Sequence, residues 1–204
     1  MNINNSLQKL LKYGYLYLVL LGIFKECIYY YFMDIVILRH STLFDIIVSP
    51  ISALTSNPSM LLTCAIVIIA IYFATNYFLK NSYKSWVRKV VNYKVNFDEL
   101  NHQEIKTFFE NFFIRCSALC LLGFFIGTGL SDGLDVSENL KNGKIEYNHI
   151  ITFNSSEQKE IYLLGTNSMN YFYVEKGNNN VMISQIGAIK SLEIINNKEL
   201  YSKK

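Results

Sequence analysis

Lys25 and Glu26 stand side by side inside "YGYLYLVLLGIFKECIYYYFM", residues 13 to 33, where 17 of 21 residues are apolar. Charges within a membrane-length apolar run belong either to an ion, proton or toxin-sensing path or to a structural role, satisfied by a salt bridge to another helix or by water reaching down from the polar surface, because leaving them bare in hydrocarbon costs several kcal/mol. Neighbours in sequence lie about 100° apart around a helix, so the two cannot make an ideal pair with each other. Each needs its own partner. The other apolar segments offer Arg115, Asn76, Thr63 and Thr75, and one turn further on Tyr29 and Tyr30 carry hydroxyl donors.

The remaining reactive side chains form no catalytic pattern. Cys27, Cys64, Cys116 and Cys120 all fall in apolar segments, where cysteine serves as a small hydrophobe and not as part of a secreted disulfide framework. Cys116 and Cys120 are one helical turn apart, a spacing compatible with a metal, but no His or carboxylate accompanies them. His40, His102 and His149 fall in an external loop, an internal loop and a strand. The chain has no GxSxG, HExxH or phosphate-binding loop. The expectation is a protein that is not an enzyme and takes no cofactor or metal. Asn154 opens an "NSS" triplet, which short polar turns contain by chance.

Cys116, Cys120, Gly123 and Gly127 follow one another at offsets of four, three and four, and the last two form GxxxG. Such a face admits a second helix at close range, either within the chain or across a homo-oligomer seam.

These residues need helices to position them, and the composition supplies apolar material for that. Half of the chain is hydrophobic (51%), and Tyr and Phe make up all but one of its aromatics, a pattern of membrane interfaces. The mean hydropathy is +0.19. A net charge of +3 shows no nucleic-acid footprint. Residues 60 to 79 hold 20 positions without a charge, enough at about 1.5 Å per residue to cross a core of about 30 Å. Residues 112 to 130 carry only Arg115, near the start, where a long side chain reaches the headgroups. With 13 to 33 as the least secure member, three spans are expected. A signal peptide is disfavoured, since no small-residue cleavage site follows "IYYYF".

Lys80, Lys84, Arg88, Lys89, Lys94, Lys106 and Arg115 crowd the 80 to 115 region, whereas the 34 to 59 loop holds only Arg39. The positive-inside rule therefore places the former, with Lys9 and Lys12, in the cytoplasm and the C-terminal part outside it. Trp86, Val87, Val90 and Val91 recur at helical spacing, and "NHQE" at 101 to 104 has the form of a capping box, so a cytoplasmic helical hairpin turning near "VNFDELN" is expected across 80 to 111. The loop around Pro50 and Pro58 is too broken to span and belongs at the outer interface or folds back partway, with Asp45 a solvated charge or a partner of Arg39 or His40.

Beyond residue 135 the hydrophobic period changes from helical to two. "IEYNHIITF", "EIYLL", "MNYFYV", "VMISQ" and "SLEII" read as strands separated by "NSSEQ", "GTNS", "KGNNN" and Gly187. The expected fold class is an α+β membrane protein: a transmembrane helical domain over 1–135 and a small antiparallel barrel or sandwich over 136–204, an SH3-like order being one form.

The functional expectation is a protein of the bacterial inner membrane, suggested by the Asn, Lys, Ile and Tyr richness, with the bilayer and a toxin or envelope protein as partners. Its concrete form is an immunity protein against a membrane-acting toxin, with Tyr147, Tyr171, Phe172 and Tyr173 as aromatic anchors. Two alternatives stand beside it: a channel, transporter subunit or membrane-disrupting effector using Lys25 and Glu26, and an envelope sensor or accessory subunit.

Overall fold

The computed structural model describes residues 3–56, 58–91, 100–178 and 180–195. Among the described residues, five α-helices precede a five-stranded sheet: α1 (Ile3–Tyr31), α2 (Leu43–Ser56), α3 (Pro58–Lys80), α4 (Ser85–Val91) and α5 (His102–Lys141), then β1 (His149–Phe153), β2 (Gln158–Thr166), β3 (Asn170–Glu175), β4 (Val181–Gln185) and β5 (Ile189–Ile194). Two of the helices, α3 and α5, are long and apolar enough to cross a membrane. The expected turn at 95–101 lies largely outside the described residues, as does Lys94.

The chain forms two compact units, Met1–Pro50 with Ile126–Lys204, and Ile51–Phe125. Packing thus divides it differently from composition, because the start of the chain folds with the strand module.

In the second unit, Val87 and Phe109 are fully buried among Phe78, Leu79, Ile105, Phe112 and Phe113. Phe78 holds this cluster together, its ring 5.0 Å from Phe113, 6.0 Å from Phe109 and 5.5 Å from Trp86. The capping box forms as its spacing predicts: Asn101 N donates to Glu104 Oε2 at 2.8 Å and Glu104 N to Asn101 Oδ1 at 2.9 Å. That closure starts a single 40-residue helix, about 60 Å long at 1.5 Å per residue. Only 11% of the apolar stretch of α3 is buried, and Ile66, Ile68, Ile69, Tyr72 and Phe73 are exposed. Its hydrophobicity is not consumed by a protein core.

In the first unit the sheet is antiparallel throughout, in the order β4-β3-β2-β1-β5. The two edge strands, β4 and β5, are consecutive in sequence and joined by one 3-10 turn, Ile186–Ala188. Laid flat, five strands would separate the edges by about 19 Å, four spacings of about 4.8 Å. The four Cα steps from Gln185 to Ile189 reach only about 14 Å. The sheet must therefore curl. Register shifts at Thr152/Phe153 and Leu163/Gly165 supply the bend. Because β4 and β5 do not pair, the module is a curled open sheet, which corrects the expectation of a closed barrel or a sandwich: there is one sheet, and helices cover one of its faces.

That covered face carries the principal core, Leu164, Phe172 and Val174 against Tyr30, Met33, Ile35 and Ile37, with Cys27, Val136 and Leu140 packed around them. The opposite face has its own cluster of Ile151, Ile161 and Tyr173.

Candidate functional site

Tyr173 of the second cluster, with Phe153 and Met182 packed against that cluster, lines an open groove of about 530 Å³. Its wall is built by alternation: Lys159 on β2 and Tyr173 and Glu175 on β3 face the same side, joined by Met182 and Ser184 on β4 and by Phe153 to Ser155 at the β1–β2 turn. Ser156 in that turn has φ 68°, which lets the chain reverse in a few residues.

Lys159, its carboxylate neighbours, Tyr173, Ser184 and Asn154 are already paired. Lys159 Nζ donates to both Glu175 oxygens, at 3.0 and 3.1 Å, lies 3.4 Å from Glu157 Oε1 and stands over the Phe153 ring at 5.9 Å from its centroid. The Glu175 hydrogen bond, aided by Glu157, raises the Lys159 ammonium above its ordinary range despite some desolvation. Tyr173 Oη and Ser184 Oγ are hydrogen-bonded at 2.9 Å, and Asn154 Nδ2 donates to Gly187 O at 2.8 Å. The result is a preorganised recess with one lysine between two carboxylates over an aromatic floor. It can recognise a complementary surface through charge and shape.

The four aromatics expected as anchors separate. Phe172 is fully buried, its ring 5.2 Å from Tyr30 and 6.1 Å from His40, so it is a core residue and not an exposed anchor. Tyr173 is also buried but presents its hydroxyl side to the groove. Tyr171 is half-buried in the same cluster. Tyr147 lies apart, in a smaller crevice of about 230 Å³ with Leu140, Ile145 and Val174. Lys159, Glu157 and Glu175 were not singled out by the sequence. Their meeting is set by the β2–β3 register, and only the period-two alternation hints at a shared face.

Lys25 and Glu26 also change meaning. Gly129 is packed so tightly on α1 that a Cβ there would lie 2.8 Å from the Lys25 carbonyl oxygen, and one at Gly133 would meet Tyr29 and Phe32. The charged pair therefore sits beside the place where α5 leaves its apolar run at Leu130 and passes to Asp132 and Asp135. Among the described residues no ion pair joins either charge to another helix. Thr63 and Thr75 turn their hydroxyls back to carbonyls of their own helix, Ser59 and Ile71, and Arg115 and Asn76 are exposed. The small-residue face expected to pack is likewise replaced: Cβ atoms at Gly123 and Gly127 would meet nothing within 4 Å, while Gly129 and Gly133 make the close approach. These two glycines repeat the GxxxG spacing on a different side of α5 and could have been read from it. Cys116 is half-buried and Cys120 exposed.

The helices and the strand module are fastened by specific bonds. Tyr29 Oη donates to Leu164 O at 2.9 Å, and Gly165 leaves the space that the Tyr30 hydroxyl fills. Asn167 Nδ2 and Asn170 Nδ2 donate to His40 O at 2.8 and 3.2 Å. Asp45 is neither a free loop charge nor a partner of Arg39 or His40. It completes the cap that Thr42 places on α2, accepting from Thr42 N and Oγ1 at 2.8 and 2.7 Å while its own N–H donates to Thr42 Oγ1 at 3.2 Å, and it receives Ser168 N and Oγ at 3.0 and 2.9 Å. Slight desolvation would raise its carboxyl, but these four donors hold it below its ordinary value.

No known protein family, curated protein or solved structure matches this chain.

Proposed function

We propose that this chain is a multi-pass protein of the bacterial cytoplasmic membrane that acts without catalysis, its strand module recognising a protein partner outside the cytoplasm. The observation that carries the reading is the groove floored by Tyr173 and Phe153, whose lysine and carboxylates are held in place before any partner arrives. Preorganised polar groups lose little freedom on binding, so their interactions remain available for affinity and selectivity. The strand order, with a 3-10 turn linking the two edges, resembles that of SH3-like modules, which supports a binding role by analogy of fold alone.

In the proposed topology α1, α3 and α5 cross the bilayer, with the basic 80–106 region in the cytoplasm. Lys25 and Glu26 then lie toward the outer end of the α1 span, next to Gly129. That level favours an anchoring role for the pair over an ion path.

The most concrete form is an immunity protein that intercepts a membrane-acting toxin. Cells sensitive to the toxin encoded beside this gene should survive when the chain is expressed. Ser155→Trp and Ala188→Trp, at exposed positions of the groove, should abolish protection while the protein still reaches the membrane. Undiminished killing with the unaltered chain would sink the immunity reading, and protection unaffected by both tryptophans would move recognition away from the groove.

A further inference from the structure

We propose that the strand module is seated on the outer membrane surface through an apolar rim of Leu43, Phe44, Met169 and Ile186, a seat that rests on the membrane reading above. Each is a large apolar residue left open, with exposures of 73%, 69%, 50% and 37%. They come from three separate parts of the chain: the start of α2, the β2–β3 turn and the β4–β5 link. Hydrogen bonds join these parts at one place. Asp45, next to Phe44, accepts from Ser168, next to Met169, and Ile186 N donates to Met169 O at 2.8 Å.

The occupant follows from the level of this rim. Tyr29, whose hydroxyl holds Leu164 just before the β2–β3 turn, packs at Gly133, one turn beyond Gly129 and the end of the apolar run of α5. The β2–β3 part of the rim is thus attached to the chain just beyond the apolar run of α5, where the acidic residues Asp132 and Asp135 follow. Apolar side chains at that height enter the boundary between headgroups and acyl chains, about 5 to 10 Å deep. A rim built by three elements through satisfied polar bonds keeps its shape there without drawing the backbone into hydrocarbon. The seat holds the groove at a fixed height above the membrane, which suits a partner that itself acts on membranes.

Tryptophan depth measurements test this on the full chain in phosphatidylcholine vesicles containing a lipid brominated high on the acyl chain, with Trp86→Phe removing the native emitter. Met169→Trp and Phe44→Trp, both at exposed positions, should emit to the blue and lose most of their intensity to the brominated lipid. Ser155→Trp in the groove should remain open to aqueous acrylamide and unquenched by lipid. Ile69→Trp in α3 reports on membrane crossing alone. If Ile69→Trp is quenched and neither rim variant is, the seat is wrong while the membrane reading stands. If none is quenched, both are wrong. Rim tryptophans shielded from acrylamide but untouched by lipid would mean that a protein or a second copy covers the rim, and equal quenching of Ser155→Trp would mean that the whole module is submerged; either result overturns the seat.

Discussion

Tyr29 Oη and the Leu164 carbonyl oxygen meet at 2.9 Å although 135 positions separate them in sequence. Next to this bond the Tyr30 ring lies on Phe172, and Gly165 makes room for its hydroxyl. The tyrosine-rich end of the first helix is therefore part of the strand module's core. A module fastened in this way cannot tilt freely on its helix.

Gly165→Ala should destabilise this seam by about 1 to 3 kcal/mol, the usual range for overpacking a filled site. Tyr30→Phe removes the hydroxyl that the new methyl would strike. The double variant should therefore lose less than the sum of the single variants in detergent-solubilised thermal unfolding. Strict additivity would show that the seam is not tight.

Gly133→Leu should open the contact between α1 and α5, because its side chain would have to displace Phe32 and the Tyr29 backbone. Gly123→Ala and Gly127→Ala meet open space and should be neutral within the chain or stabilising by up to about 1 kcal/mol, the usual helical gain of alanine over glycine. Thermal unfolding separates Gly133→Leu from the two alanine variants. Should the Gly123 and Gly127 variants instead shift a cross-linked dimer to monomer, that face is a homo-oligomer seam.

Stability should depend on pH through two groups. Burial lowers the folded-state pKa of His149 from its ordinary 6.5, so the unfolded chain takes up the proton first. This contribution is complete above about pH 6.5 and falls away as the pH drops through the folded value. Asp45 behaves alike at lower pH: its carboxylate is favoured in the fold, and its contribution, present above the ordinary 3.8, is lost on further acidification. Denaturant titrations across pH should show both declines. His149→Phe should flatten the first and Asp45→Asn the second.

Lys159→Met leaves Glu175, whose side chain is only 14% exposed, without its cation. It should therefore be more destabilised than Lys159→Met combined with Glu175→Gln, since removing both charges leaves neither stranded. Equal stability of the two, by chemical unfolding, would show that solvent screens the pair completely.

What the sequence determined by itself is local. Twenty uncharged residues from 60 to 79 sufficed for a long apolar helix, "NHQE" for a capped helix start, and two-residue alternation for strands, because each depends on neighbours within one or two turns of the chain. Tertiary structure decided everything that depends on distant partners. It chose Gly129 and Gly133 over Gly123 and Gly127, put Phe172 in the core, tied Asp45 to Ser168, and assembled Lys159 with Glu175 across a strand register. Lys25 and Glu26 show the difference most clearly. Alone, their segment reads as a span with charges at its middle. Packed against Gly129, the same two residues lie where the neighbouring apolar run ends, a level that is set by helix-to-helix register and left unspecified by composition.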